Sequence, residues 1–373
     1  MTAIYQQRIT ALKEQMKERQ IEVGLVTSPK NIYYYTGFHS EPYERFMALL
    51  LDGRTDQLSL FIPALDYEAA KQHSFVEQLI PIFDEQNPYQ VVKDHIGEEI
   101  KSLGVETKRV TLHQQTQLNN HLSISGYLDI GDFVASQRMR KTPEECLRVE
   151  RAVQIVEKVL AEGMKKVAVG MTELELAAEM ELLMRRFGAA GPSFSTTVLS
   201  GVKSSLPHGH SDEKKLQWGE FLLIDMGVMA DGYCSDISRT FVIGEASAEQ
   251  EKLHGIVRQA TEAGVRAAKA GVAAKEVDRA AREVIKQNGY GRYFNNRVGH
   301  GLGIEVHEEP SIHENNELMI ESGFLFTVEP GIYVPNWGGV RIEEDVYIGE
   351  DGQANVLTTF PTELMSVAVN SYS

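Results

Sequence analysis

Along the first third of the chain the spacing of apolar residues changes several times, and each change marks an element. Residues 2 to 20 carry apolar positions at helical spacing, 21 to 26 read as a strand, and Asn31 to Phe38 form an aromatic stretch. Two apolar runs within residues 46 to 63 flank Asp52-Gly53, the pattern of a β-hairpin. Short helical and strand-like segments alternate from there to about Ile130, which predicts a small α/β domain over residues 1 to 135. Then Thr142-Pro143-Glu144-Glu145 sets a hydroxyl at the N-cap, proline at the first helical position and glutamate at the third. A long helix is expected from there to about Val167, with the domain boundary at 131 to 141 and a second domain over residues 141 to 373.

The second domain repeats itself. Gly163, Gly170 and Gly188 recur at an offset of 101 as Gly264, Gly271 and Gly289. Between the last two glycines of each set lies a helical pattern: Leu176, Met180, Leu183 and Met184 match Val277, Ala281, Val284 and Ile285, one helix face in both copies. Further on, Pro207-His208-Gly209 corresponds to Gly299-His300-Gly301, and the strand ending at Asp225-Met226-Gly227 corresponds to the one ending at Glu329-Pro330-Gly331. Each half supplies helices, a His-Gly and a hairpin opening with a carboxylate, which predicts a pseudo-twofold α+β domain with its site where the halves meet.

Charge narrows the partners. With 53 acidic and 37 basic residues the net charge is −16, so a nucleic-acid backbone would be repelled. The two cysteines cannot build a disulfide framework or a thiolate zinc site. Apolar runs are strand-length, so no membrane span is expected, and the charged N-terminus is unlike a signal peptide. A cytoplasmic enzyme is the default expectation.

Candidate chemistry lies in the two hairpins. If Ala230-Asp231 forms the first turn, Asp225 falls directly opposite Asp236; a second turn centred on Asn336 sets Glu329 opposite Glu343. Carboxylates so placed repel one another unless one is protonated or a cation lies between them. Four carboxylates with His300 nearby make a hard, oxygen-rich donor set that favours Mn²⁺, Co²⁺ or Zn²⁺ over a softer metal. Five ligands fit two divalent ions about 3.5 to 4 Å apart. Taken singly, each acid would be read as an ordinary turn or salt-bridge residue; it is the set that points to a metal centre.

The runs DMGVMADGYCSDISRTF (225 to 241), GHGLGIEVHEEP (299 to 310), FTVEPGIY (326 to 333) and GVRIEEDV (339 to 346) resemble those of the creatinase, aminopeptidase P and prolidase family, whose catalytic domain has the pita-bread fold. SPKNIYYYTGF (28 to 38) is similar to that family's N-terminal domain, so the resemblance covers nearly the whole chain. It implies that Asp236 and Glu343 bridge two metals, that Asp225 holds one, and that His300 with Glu329 holds the other. It also implies that His208 and His307 line the pocket and bond the scissile carbonyl or the tetrahedral intermediate; Arg341, two residues before Glu343, is a candidate cation for the free carboxylate of a dipeptide substrate, though common to both enzyme types. A homodimer is implied too, in which His39, from the loop Thr36 to Phe46, contributes to the neighbouring site.

A hydroxide between two metals is a nucleophile at neutral pH, and Glu329 is the candidate for passing its proton to the leaving amine. Thr240 and Thr327, each near a ligand, are candidate hydrogen-bond partners of the set. The expected activity is Mn²⁺-dependent hydrolysis of Xaa-Pro dipeptides (a prolidase), with an aminopeptidase P acting on longer peptides as the alternative. Some prolidases carry an arginine shortly after the His-Glu-x-Pro motif, where this chain has Ser311. A metal-free creatinase-like hydrolase lacks the five-ligand set, and a silent binding protein of the same fold would have no need of it.

Overall fold

The computed structural model describes residues 2–367 and 370–371. The chain divides into two compact units, Met1–Gln137 and Arg138–Ser373.

The first unit is built on a six-stranded mixed sheet in the order Gln78–Ile82, Gln57–Pro63, Ala48–Asp52, Val23–Val26, Leu103–Val105, Tyr127–Asp129. The expected hairpin pairs Ala48 with Phe61 and Asp52 with Gln57, so the turn takes four residues, Gly53 to Asp56. The aromatic stretch is a helix, Pro29–Thr36: proline opens it and Gly37, at φ 73°, closes it in the left-handed region. A further helix, Gly131–Met139, occupies the segment expected as a boundary.

The second unit shows the duplication in its coordinates. Thr142 and Glu145 form the reciprocal capping box that starts the helix Pro143–Met164. The helices Glu173–Arg186 and Ala274–Gln287 are each 14 residues long and begin 101 positions apart. Gly188 (φ 93°) and Gly289 (φ 84°) follow them in the same left-handed conformation. Each helix turns its apolar face into its own core: Leu176, Met180, Leu183 and Met184 in one, Val277, Ala281 and Ile285 in the other, with Val284 only partly buried. Each core lies under its own sheet. The first sheet runs Thr197–Ser200, Phe221–Met226, Ile237–Ile243, Ser366–Val367; the second runs Glu308–Ile312, Gly299–Gly301, Leu325–Val328, Glu344–Ile348, Ala354–Val356.

Polar backbone contacts join the halves where the hairpins meet. Glu343 N donates to Ser238 O at 3.1 Å, Thr240 Oγ1 donates to Arg341 O at 3.1 Å, and Arg239 donates to the Glu343 carbonyl. No described helix is long and apolar enough to cross a membrane.

His254, on the helix Ala248–Ala267, is 3% exposed. Burial, and then the charge of Arg258, hold its pKa down to about 4. An unfolded histidine takes up its proton near 6.5. Between those values the unfolded chain binds a proton that the native chain does not, so stability falls as pH drops from about 6.5 towards 4, by about 3 kcal/mol at most. Thermal melts between pH 7 and 4.5 should show His254→Leu losing less of its melting temperature than the parent protein; parallel curves would exclude this source.

Candidate metal centre and active site

The first hairpin turns at Asp231-Gly232, with φ of 49° and 80°, not at Ala230-Asp231. A two-residue turn with both φ positive suits Asp-Gly and would strain an alanine. The register therefore moves by two: Asp225 faces Ser238, and Asp236 falls opposite Gly227. A shift of two keeps the face, so both carboxylates still point the same way, as diagonal neighbours and not as a directly opposed pair. In the second hairpin Val328 pairs with Glu344 and Gly331 with Arg341, which sets Glu329 opposite Glu343 as expected. Asn336, at φ 61°, marks that turn.

All five expected ligands line one cavity of about 610 Å³, together with His208, His307 and Arg341. Ligand atoms of Asp236, His300 and Glu343 lie within 4.8 Å of one another. His300 Nδ1 sits 3.2 Å from Gly301 O; a carbonyl can only accept, so Nδ1 carries the proton and Nε2 faces the acids. That atom is 3.2 Å from Glu329 Oε1 and 3.7 Å from Asp236 Oδ2. Thr327 Oγ1 accepts from His300 N at 3.2 Å, and Thr240 Oγ1 accepts from Arg341 N at 3.1 Å, so both threonines brace the site's backbone.

The acids are not equally compensated. Arg341, 4% exposed, donates to Asp225, to Ser238 Oγ at 2.7 Å and to Tyr333 OH at 2.9 Å. Ser238 Oγ lies 3.0 Å from Asp225 Oδ1 and 2.8 Å from Glu343 Oε2 and has one proton to give. Burial, and next the charge of Glu343, push the Asp236 carboxyl well above its usual range. Burial and then Glu329 do the same to Glu343. Burial also raises Asp225 against the pull of Arg341, whereas for Glu329 burial is outweighed by the His300 bond and Arg341, and its pKa is lowered. Asp236 Oδ1 and Glu343 Oε1 are buried with no hydrogen-bond partner among the described residues. Two orphaned anionic oxygens beside an imidazole nitrogen fit divalent cations, which would compensate the charge that the protein leaves uncompensated.

His307 packs edge-on against His300 with ring centroids 4.1 Å apart and its other side exposed. Burial, then His300 and Arg297, hold its pKa down to about 4. His208 is exposed at the cavity rim, on the loop after the turn Gly201–Ser205. His39 lies in the first unit, exposed, edge-on to Tyr33 at 5.6 Å. Burial and then Lys30 lower its pKa. Cys234 is buried against the Ile304 carbonyl.

Sequence reasoning passes over Arg297, Ser238, Phe194 and His210. Arg297 lines the cavity and donates to Ser311 Oγ at 3.0 Å; among the described residues no carboxylate pairs with it. Its signal is an arginine three positions before His300 in a strongly acidic chain. His210 and Phe194 also line the cavity, and His210 lies two residues after His208.

Residues 148–350 match the metallopeptidase family M24, and residues 8–140 match the creatinase/prolidase N-terminal domain. An uncharacterized peptidase of Staphylococcus haemolyticus is 35% identical over 345 residues, 92% of this chain and 97% of that protein. The prolidase from Pyrococcus furiosus superposes with a TM-score of 0.85 at 35% identity, over 93% of this chain and 99% of that one. The X-Pro aminopeptidase from Thermotoga maritima gives 0.84 at 34% identity, over 94% and 99%. The expected pita-bread architecture with its α/β N-terminal domain is thereby established, and the chain belongs to metallopeptidase family M24.

Proposed function

We propose that the protein is an Xaa-Pro dipeptidase whose five ligands, Asp225, Asp236, His300, Glu329 and Glu343, hold two divalent ions, Mn²⁺ first among Mn²⁺, Co²⁺ and Zn²⁺. The observation that carries the metal centre is the pair of buried, partnerless oxygens on Asp236 and Glu343 beside His300. When bound, such ions polarise a carbonyl and lower the pKa of water. The chain's own groups supply the rest. Glu329, partly open to the cavity, is placed to carry a proton to the proline nitrogen, which has no hydrogen of its own and must gain one to leave. His307 and His208 face the same space and are assigned to the carbonyl oxygen as charge develops on it.

The preference for dipeptides rests on Arg297. A substrate that ends at proline brings a free carboxylate, and among the described residues this guanidinium has no carboxylate to hold. The alternative, an Xaa-Pro aminopeptidase, would place an amide there. Assays of Ala-Pro, Ala-Pro-amide and Ala-Pro-Ala with each metal should rank Ala-Pro first in kcat/KM. A charge-assisted hydrogen bond contributes about 1.5 to 3 kcal/mol, so Arg297→Met should cost about 10- to 100-fold on Ala-Pro, mostly through KM. Ala-Pro-amide should change by about twofold or less, since it carries no charge for Arg297 to bind. A higher kcat/KM on Ala-Pro-Ala than on Ala-Pro in the parent enzyme would replace the dipeptidase by the aminopeptidase reading.

A further inference from the structure

Beside His307 the chain buries a charge that the reaction does not use. The Glu308 carboxylate is 4% exposed, and Lys141 and Arg138 are 1% and 7% exposed. Glu308 Oε2 accepts from Lys141 Nζ at 3.1 Å, while Oε1 accepts from Arg138 and from the Glu305 backbone N–H at 2.9 Å. Arg138 also reaches Glu305 Oε2 at 2.9 Å, so two cations and two acids balance in one cluster. The loop closes tightly over it. A Cβ on Gly303 would sit 2.9 Å from both Glu308 oxygens and from Lys141 Cε, so a larger residue there would have to displace the Glu308 and Lys141 side chains. Cys234 N ties the same loop down by donating to Gly303 O at 2.7 Å.

We propose that Glu308 is a positioning residue for His307: clamped between Arg138 and Lys141, it fixes the backbone from which the imidazole reaches His300 and the cavity. Adjacent residues carry the two functions. Glu308 is directed into the protein and His307 into the cavity, so any swing of the His307 backbone must pull a carboxylate off two buried cations. The first pair of the strand, Gly301 with Glu308, follows a register shift after His300, so no regular ladder runs from His300 to His307. The clamp takes the ladder's place. Glu308 holds its proton-free form for the same reason: burial opposes it, but Arg138 and Lys141 outweigh burial and draw its pKa down to about 2.

This inference rests on the assignment of His307 to the substrate, and a double-mutant cycle separates the two. The probe is Ala-Pro, or Ala-Pro-Ala if the parent enzyme prefers it, with Mn²⁺-loaded protein. Glu308→Gln keeps the volume and one acceptor but leaves two cations facing a neutral group. A displacement of about 1 Å in a reacting group can cost about 10²-fold. The expected result is a kcat lower by about 10- to 100-fold with KM and bound metal little changed. In the His307→Ala background the same change should alter kcat by about twofold or less, because its effect passes through the imidazole. Lys141→Met, which removes one cation only, runs through the same cycle if Glu308→Gln does not fold. Multiplying losses in the double variant, or parental kcat in a folded single variant of Glu308 or Lys141, would overturn the positioning role alone. Parental kcat in His307→Ala would overturn the assignment of His307 and the clamp's role together.

Discussion

Asp236→Asn should lower kcat/KM by about 10³ or more, and the same change should raise the melting temperature of metal-stripped protein. The first effect follows from charge: in the proposed centre a carboxylate that would neutralise metal is replaced by a neutral amide of the same shape, and the loss of several kcal/mol of electrostatic stabilisation corresponds to about three powers of ten. The second follows from the protein without metal. Asp236 and Glu343 are buried together, each pushed up by burial and by neighbouring acids, and each has an oxygen without a hydrogen-bond partner among the described residues. An asparagine there removes one of the repelling charges and brings an N–H₂ that can donate. Relief of that repulsion would appear as a higher melting temperature. Metal content, Ala-Pro turnover and melting with and without chelator give the answer. Full activity in the variant would remove Asp236 from the ligand set. A lower melting temperature in chelator would mean that the carboxylate has a structural role unrelated to metal.

That the four candidate carboxylates converge on one cavity can be read from the sequence, because each sits in a short run beside a hairpin turn. Glu329 and Glu343 follow from a turn centred on Asn336, and that register holds from Val328 to Val334. Asp225 and Asp236 need a choice between two turns one residue apart, and the choice depends on which residues accept positive φ. Asp231-Gly232 satisfies that condition and Ala230 does not. Because the error is two residues and the side-chain period of a strand is two, the face survives while the direct partner becomes Ser238. Arg297, Glu308 and Lys141 are harder to see. Their roles depend on which groups lie across the fold, and an arginine or glutamate in isolation carries no sign that it is buried or unpaired. Pro29 and Gly37 bracket the helix over Pro29–Thr36, but a run of tyrosines has weak helical preference and packing decides it.

Arg341→Met should lower the melting temperature of the metal-free protein by about 6 to 20 °C, and saturating Mn²⁺ should restore part of that loss. From the sequence Arg341 is a candidate for substrate contact; in the structure its guanidinium already holds Asp225, Ser238 Oγ and Tyr333 OH, with Glu329 Oε2 4.0 Å away. Burial opposes its charge, but Asp225 and then Tyr333 and Glu329 raise its pKa well above the ordinary value, so it stays a cation at any working pH. Removing one member of a buried pair strands the other, at a cost of about 3 to 5 kcal/mol, and each kcal/mol corresponds to about 2 to 4 °C for a unit of this length. Among the described residues Asp225 would then have only Ser238 Oγ to hold it, next to Glu329 and Glu343. A divalent ion on Asp225 would replace the lost charge, which is why added metal should recover stability in this variant more than in the parent. Arg341→Lys, a cation without the planar fork, should fall between the two. Calorimetry with and without Mn²⁺ on all three proteins decides it. If Arg341→Met leaves the melting temperature unchanged without metal and instead raises only the KM for Ala-Pro, then the arginine serves the substrate and the acids of the site are balanced by other means.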